Sequence, residues 1–302
     1  MAGAIQDNVS TKWPTICNRR RLAGLRSSLR RRRKLLSETG NSLPERAKIN
    51  EAINNVLERL ANELLKAGDY SNAYDLFFWL PDEGKYAKSR CQGLADCLLR
   101  LKYLEDAIVV AEYAIKIYPN DEDLRITYLN ALYLSASYDK CLNVAYDSLV
   151  LFPTEVAFSF FIAQSHECLE QLDDAEERYR LILSENPEDA LLHEGIARCL
   201  IGKGQPRKAV PLLRRAMHAC PDPGCYYELV RAYTDLDQYD KALRVARKAF
   251  NLFSDADGLS YGYLGMALRN NGEYDEAIYV LSEGLLLYPE EDMISELFDD
   301  IE

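Results

Sequence analysis

Alanine-sized residues recur along this chain at a nearly constant stride: Ala73, Ala107, Cys141, Ala175, Ala209, Ala242 and Ala277 stand 34, 34, 34, 34, 33 and 35 residues apart. A period of this length marks one supersecondary unit that cannot bury its own apolar face, so neighbouring units must stack to form a continuous core. The period constrains architecture far more tightly than biology.

With the small residue set at repeat position 20, the other landmarks align. Position 7 holds Leu60, Leu94, Tyr128, Ile162, Ile196, Leu229 and Leu264; position 8 is mostly small, as in Ala61, Ala95, Ala163, Ala197 and Gly265. Positions 4, 7, 8 and 11 share one face of a helix. A turn follows, as at Gly68-Asp69-Tyr70 and Gln238-Tyr239-Asp240, and a second helix then carries small residues such as Ala107, Ala111 and Ala114. Proline at position 32 (Pro119, Pro153, Pro187, Pro221 and Pro289) stops that second helix, because it lacks an amide hydrogen and clashes with the preceding turn. The predicted unit is an antiparallel helical hairpin.

Charge is divided along the chain. Residues 1–50 hold 12 Lys/Arg and 3 Asp/Glu, a net +9, so the overall −12 leaves −21 for the remainder. No apolar run approaches the roughly 18 residues needed to span a bilayer, and the first 30 residues lack the apolar centre of a secretory signal. The expected setting is intracellular and cytoplasmic. Eight cysteines include no Cys-x-x-Cys pair. Cys97 and Cys199 share a repeat position and Cys141 replaces the small alanine, so these are expected to be reduced core thiols. The Asn8-Val9-Ser10 sequon is accordingly expected to be silent.

Catalytic chemistry is not visible. Of three histidines, His193 and His166 fall at core positions and His218 lies late in a second helix. Gly202-Lys203-Gly204 has no Ser/Thr after its lysine and sits in a turn, where glycine supplies turn geometry. The reading is a non-enzyme without cofactor or metal.

The segment Tyr261-x-x-Leu264-Gly265-x-x-Leu268, followed by Gly272-Glu273-Tyr274-Asp275-Glu276-Ala277 and closing at Tyr288-Pro289, resembles the tetratricopeptide repeat (TPR) family. The resemblance extends over Asn54 to about Glu291. It implies an all-α fold, a right-handed α-solenoid of seven helix-turn-helix repeats at 54–87, 88–121, 122–155, 156–189, 190–222, 223–257 and 258–291. The solenoid is assigned to 42–291, a basic N-terminal arm to 1–41, and an acidic C-terminal capping helix to 292–302. The first repeat departs from the pattern, since Phe77-Phe78-Trp79-Leu80-Pro81 breaks its second helix early.

The resemblance further implies that first helices line a concave groove through positions 2, 5, 9, 12 and 13. Ile126, Asn130, Tyr133, Phe160 and Gln164 would then offer apolar and amide groups to an extended backbone. Arg198, Tyr227, Arg231, Tyr263 and Arg269 would add a cationic stretch suited to a carboxylate or phosphate. Two blander readings stay open: Arg198 and Arg231 pair with Glu194 and Glu228, and Phe160 and Ile126 pack between adjacent first helices. A chaperone carboxylate clamp is not expected, because position 5 never holds lysine.

Arg19, Arg20, Arg21, Arg26, Arg30, Arg31, Arg32, Arg33 and Lys34 form a basic stretch without an acid, and Leu22, Leu25, Leu29 and Leu36 fall at helical spacing within it. Its open readings are docking on the acidic repeats or capping of the first helix, binding of anionic lipid or nucleic acid, a nuclear or organelle address, and plain solvated chain. At the other end, Met293, Ile294, Leu297, Phe298 and Ile301 trace the capping helix. The expected function is a protein-interaction scaffold or adaptor, a subunit of a larger complex, gripping a partner with apolar anchors and an acidic group. A client-specific chaperone, a tether to an anionic surface, and self-association are the alternatives.

Overall fold

The computed structural model describes residues 43–81, 84–185, 187, 189–219, 222–255 and 258–301. The basic arm, with its nine cations, lies outside the described residues. Those described form fifteen α-helices and one short 3-10 turn, with no strand among them. They divide into two compact units, residues up to Lys140 and from Cys141 onward.

The first unit contains α1 (Leu43–Lys66), α2 (Tyr70–Trp79), α3 (Ala87–Arg100), α4 (Leu104–Ile117) and α5 (Glu122–Leu134), with the start of α6 (Tyr138–Leu151). Here α1 packs on α2, α2 on α3, α3 on α4 and α4 on α5. Two departures from the repeat pattern stand out. Helix α1 begins at Leu43, well before the repeat start at Asn54, and α2 spans only 10 residues against 14 in α4.

The second unit holds the rest of α6, then α7 (Val156–Cys168), α8 (Leu172–Glu185), α9 (Ala190–Gly202), α10 (Pro206–Ala219), α11 (Pro223–Thr234), α12 (Tyr239–Phe253), α13 (Leu259–Asn270), α14 (Tyr274–Leu287) and α15 (Asp292–Asp299). From α7 to α14 each helix again packs on the next, and α15 closes against both α13 and α14.

The recurring small residue explains the tight pairing. All seven, from Ala73 to Ala277, are 0 or 1% exposed, so each second helix buries nothing larger than a methyl or thiol at this position of the core. A bulkier side chain there would overpack the pair.

Each hairpin turns through one left-handed residue: Gly68, Lys102, Ala136, Glu170, Gly204, Asp237 and Gly272 all have φ between 55° and 82°. The amide of that residue bonds three back and the next amide five back, as in Lys102 N to Leu99 O (3.1 Å) and Tyr103 N to Leu98 O (2.9 Å). This is the Schellman arrangement, which satisfies carbonyls that the helix end leaves without partners.

Five of the six described cysteines are buried, and burial pushes the Cys97 and Cys199 thiols up to about 12. Both behave as small apolar groups. His166 sits in the core with Tyr146 Oη 3.1 Å from Nε2 and Gln171 Oε1 2.6 Å from Nδ1, and His193 Nε2 lies 2.9 Å from Pro187 O.

Candidate functional site

First helices α7, α9 and α11 of the second unit present one ionic network. Arg198 on α9 reaches back to Glu167 on α7, with Nε to Oε1 at 2.6 Å and Nη2 to Oε2 at 3.2 Å. Its Nη1 bonds Glu194 one turn earlier on the same helix. The hydroxyl of Tyr179, from α8, donates to Glu167 Oε2 at 2.8 Å. Arg198 is therefore saturated by two carboxylates rather than presented as an open cation.

Local structure brings further acids to the same place. Asp222 caps α11, its Oδ1 accepting from Gly224 N at 2.9 Å. A Cβ on residue 224 would run into the Glu194 carboxylate, so glycine there lets this acid settle against the start of α11, where the helix dipole favours negative charge. Glu228, also on α11, is buried and accepts two 3.0 Å bonds from Arg231 Nη1. The Arg231 side chain itself remains 43% exposed.

Four carboxylates, Glu167, Glu194, Asp222 and Glu228, thus surround two guanidiniums. Burial raises the pKa of Glu194, opposed by Arg198 and reinforced by the charges of Asp222, Glu228 and Glu167. Burial likewise raises Glu228, against the pull of Arg231 and Arg198. For Arg198, burial works against the charged form, but the hydrogen bond and charge of Glu167, with Glu194, prevail and raise it. The patch is short of positive charge.

Beside it, Tyr227 and Tyr263 stack with centroids 4.5 Å apart and planes 2° from parallel. Burial, then the charge of Glu228, pushes the Tyr263 phenol up to about 12, despite Arg231. Phe160 is partly buried, with its ring edge-on to Tyr179 at 5.9 Å, and Gln164 is half-buried. Arg269 bonds Asp300 Oδ2 at 3.2 Å, and Met293 of α15 lies over Gly262 at position 5 of α13. The final helix therefore covers position 5 of the last repeat, and the residue that ends it takes up Arg269 at position 12.

Ile126, Asn130 and Tyr133 belong to α5 of the first unit. Asn130 is exposed, Ile126 is half-buried, and Tyr133 packs edge-on against Tyr138 at 5.6 Å. The donor atoms of Glu194, Asp222 and Cys225 lie within 4.8 Å of one another. Each already has other work: Glu194 holds Arg198, Asp222 caps α11, and Cys225 Sγ donates to Ala190 O at 3.8 Å.

Tyr179 and Asp222 carry no signal of their own in the sequence. Glu167 does carry one, since it lies 31 residues before Arg198, three short of a period, which sets position 12 of one first helix beside position 9 of the next.

The family model described as Anaphase-promoting complex, cyclosome, subunit 3 matches residues 177–249, and the one described as Tetratricopeptide repeat matches 227–291. No curated protein matches this sequence. Among solved structures, the APC/C hetero-tetramer Cut9-Hcn1 is similar at a TM-score of 0.63 and 17% identity, over 80% of this chain and 48% of that one. A tetratricopeptide repeat protein from Parabacteroides merdae ATCC 43184 gives 0.69 and 14% identity, over 82% and 98%. A thermophilic TPR protein from Thermus thermophilus gives 0.54 and 18% identity, over 60% and 98%. This chain spans about half the length of the Cut9-Hcn1 chain that it matches.

Proposed function

We propose that this chain, whose residues 227–291 match the tetratricopeptide repeat model and whose fold is that of solved tetratricopeptide repeat proteins, is a non-enzymatic interaction scaffold whose second unit holds a segment of a partner protein across α7, α9 and α11. The likeness of residues 177–249 to an anaphase-promoting complex subunit, and of the fold to Cut9-Hcn1, supports a role inside a larger assembly.

The observation that carries the reading is the charge imbalance around Arg198. Four carboxylates and two guanidiniums leave a deficit of positive charge in a partly desolvated patch, where Glu194 and Glu228 resist ionisation. A lysine or arginine from the partner would correct it, and charge-assisted hydrogen bonds contribute about 1.5–3 kcal/mol each. The preferred segment on this reading carries a cation next to an apolar or aromatic anchor for Phe160 and the Tyr227–Tyr263 pair. This replaces the acidic ligand expected from Arg198 and Arg231 as open cations, since Glu167 and Glu194 already occupy Arg198.

Selection from a random peptide library displayed on phage tests this. Enrichment of Lys/Arg beside apolar residues, lost in a Glu194→Gln/Glu228→Gln variant, supports the proposal. Enrichment of acidic peptides would refute the charge assignment, and selection unaffected by the double substitution would place binding elsewhere.

A further inference from the structure

In this chain each first helix after α1 buries the same stripe at positions 7 and 10, joined at position 3 from α5 onward by Leu124, Phe158, Leu192, Cys225 and Ser260. Position 7 is 0 to 4% exposed in Leu94, Tyr128, Ile162, Ile196, Leu229 and Leu264, and position 10 is a buried small residue such as Cys97, Ala131 or Ala267. In α3, α5, α9, α11 and α13 this stripe belongs to a helix packed on the second helix before it, as α3 is on α2 and α11 is on α10. Helix α1 has no described helix before it. Its equivalent residues are Val56, 63% exposed, and Leu60, 47% exposed, while position 10 holds the exposed Glu63 instead of a small residue.

We propose that the chain's own residues 19–36 occupy this face, standing in for the missing second helix and closing the open end of the first unit. Leu22, Leu25, Leu29 and Leu36 recur at helical spacing and would supply an apolar stripe of about 21 Å, longer than the single turn from Val56 to Leu60 that it has to cover. The connection from Leu36 to Leu43 is six residues, within the two to eight that join antiparallel helices. Tethering at that distance gives the segment an effective concentration of roughly millimolar, which favours it over a second copy or a foreign chain. Glu63 fits the same occupant. A carboxylate where the other repeats need a small residue cannot face an ordinary second helix closely, but it can meet the Arg30 to Lys34 run.

Amide hydrogen exchange on the full chain tests this. In the wild type, amides around Val56 and Leu60 are expected to exchange slowly. Leu25→Asp/Leu29→Asp should accelerate them by about tenfold or more, leaving α9 to α13 unchanged. Equal rates in the two proteins would overturn the proposal. Photo-cross-linking from benzoylphenylalanine placed at position 60 gives a second reading. Links to residues 19–36 of the same chain are expected, whereas links to another copy, or none to this segment, would overturn it.

Discussion

Arg198 Nε lies 2.6 Å from Glu167 Oε1, joining two consecutive repeats through a planar, two-point contact that Tyr179 braces from the intervening helix. Both side chains are largely out of water, at 28 and 18% exposure, so the pair is not a weak surface bridge. Glu167→Gln preserves shape and removes charge. It should lower the unfolding free energy by about 1–3 kcal/mol in urea titration, and Tyr179→Phe by about 1 kcal/mol. The double variant should lose less than the sum, because both changes act on one carboxylate. Strict additivity would mean that the three groups are not a unit.

The left-handed turn residues make a second prediction. Ala136 has φ 55° at an exposed position, a conformation that costs a residue with a Cβ about 1–2 kcal/mol. Ala136→Gly removes that strain but adds freedom to the unfolded chain, for a net gain of about 0.5–1 kcal/mol. Gly204→Ala, where φ is 68°, should lose about 1 kcal/mol. Thermal melts of both variants check the opposite signs.

Those same turns show what was and was not legible in the chain. The helical hairpins could be placed because the small residues are small for a steric reason, and all seven are buried. The left-handed residue five positions earlier was hidden, since lysine, alanine, glutamate and aspartate occupy it in four repeats and only the backbone bonds reveal it. The division at Lys140 was also illegible, because the period runs through it unchanged. At the candidate site, position numbers marked which first-helix residues share a stripe. They did not say that Arg198 would be consumed by Glu167, nor that α15 would fold over Gly262 and Arg269. Those outcomes depend on side-chain reach across helices, which a one-dimensional period does not carry.

Asp96 on α3 makes the first unit sensitive to pH. Burial pushes its carboxyl up to about 6, against the pull of Arg100. A folded-state value above the unfolded one means that the folded protein binds the proton more tightly. The resulting stability is present below about pH 4 and is lost as pH rises through 6. Asp96→Asn should therefore stabilise the chain at pH 7 by on the order of 1–3 kcal/mol and flatten the profile between pH 4 and 7. Urea titrations of both proteins at pH 5 and pH 7 read this directly, and an unchanged pH slope in the variant would show that another group is responsible.

Glu228 and Arg231 carry the last prediction. Only 8% of the Glu228 side chain meets solvent, and Arg231 Nη1 binds both of its oxygens at 3.0 Å. Arg231→Ala leaves a buried carboxylate without its nearest cation, so the already raised pKa of Glu228 should rise further. Destabilisation of about 1–3 kcal/mol is expected at pH 7. It should shrink as pH falls toward 5, because protonation relieves the burden. Adding Glu228→Gln removes the charge itself, and the double variant should recover stability at pH 7 and lose the extra pH dependence. If Arg231→Ala instead weakened the fold equally at both pH values, the arginine would be acting through packing of its aliphatic stem and not through the Glu228 charge.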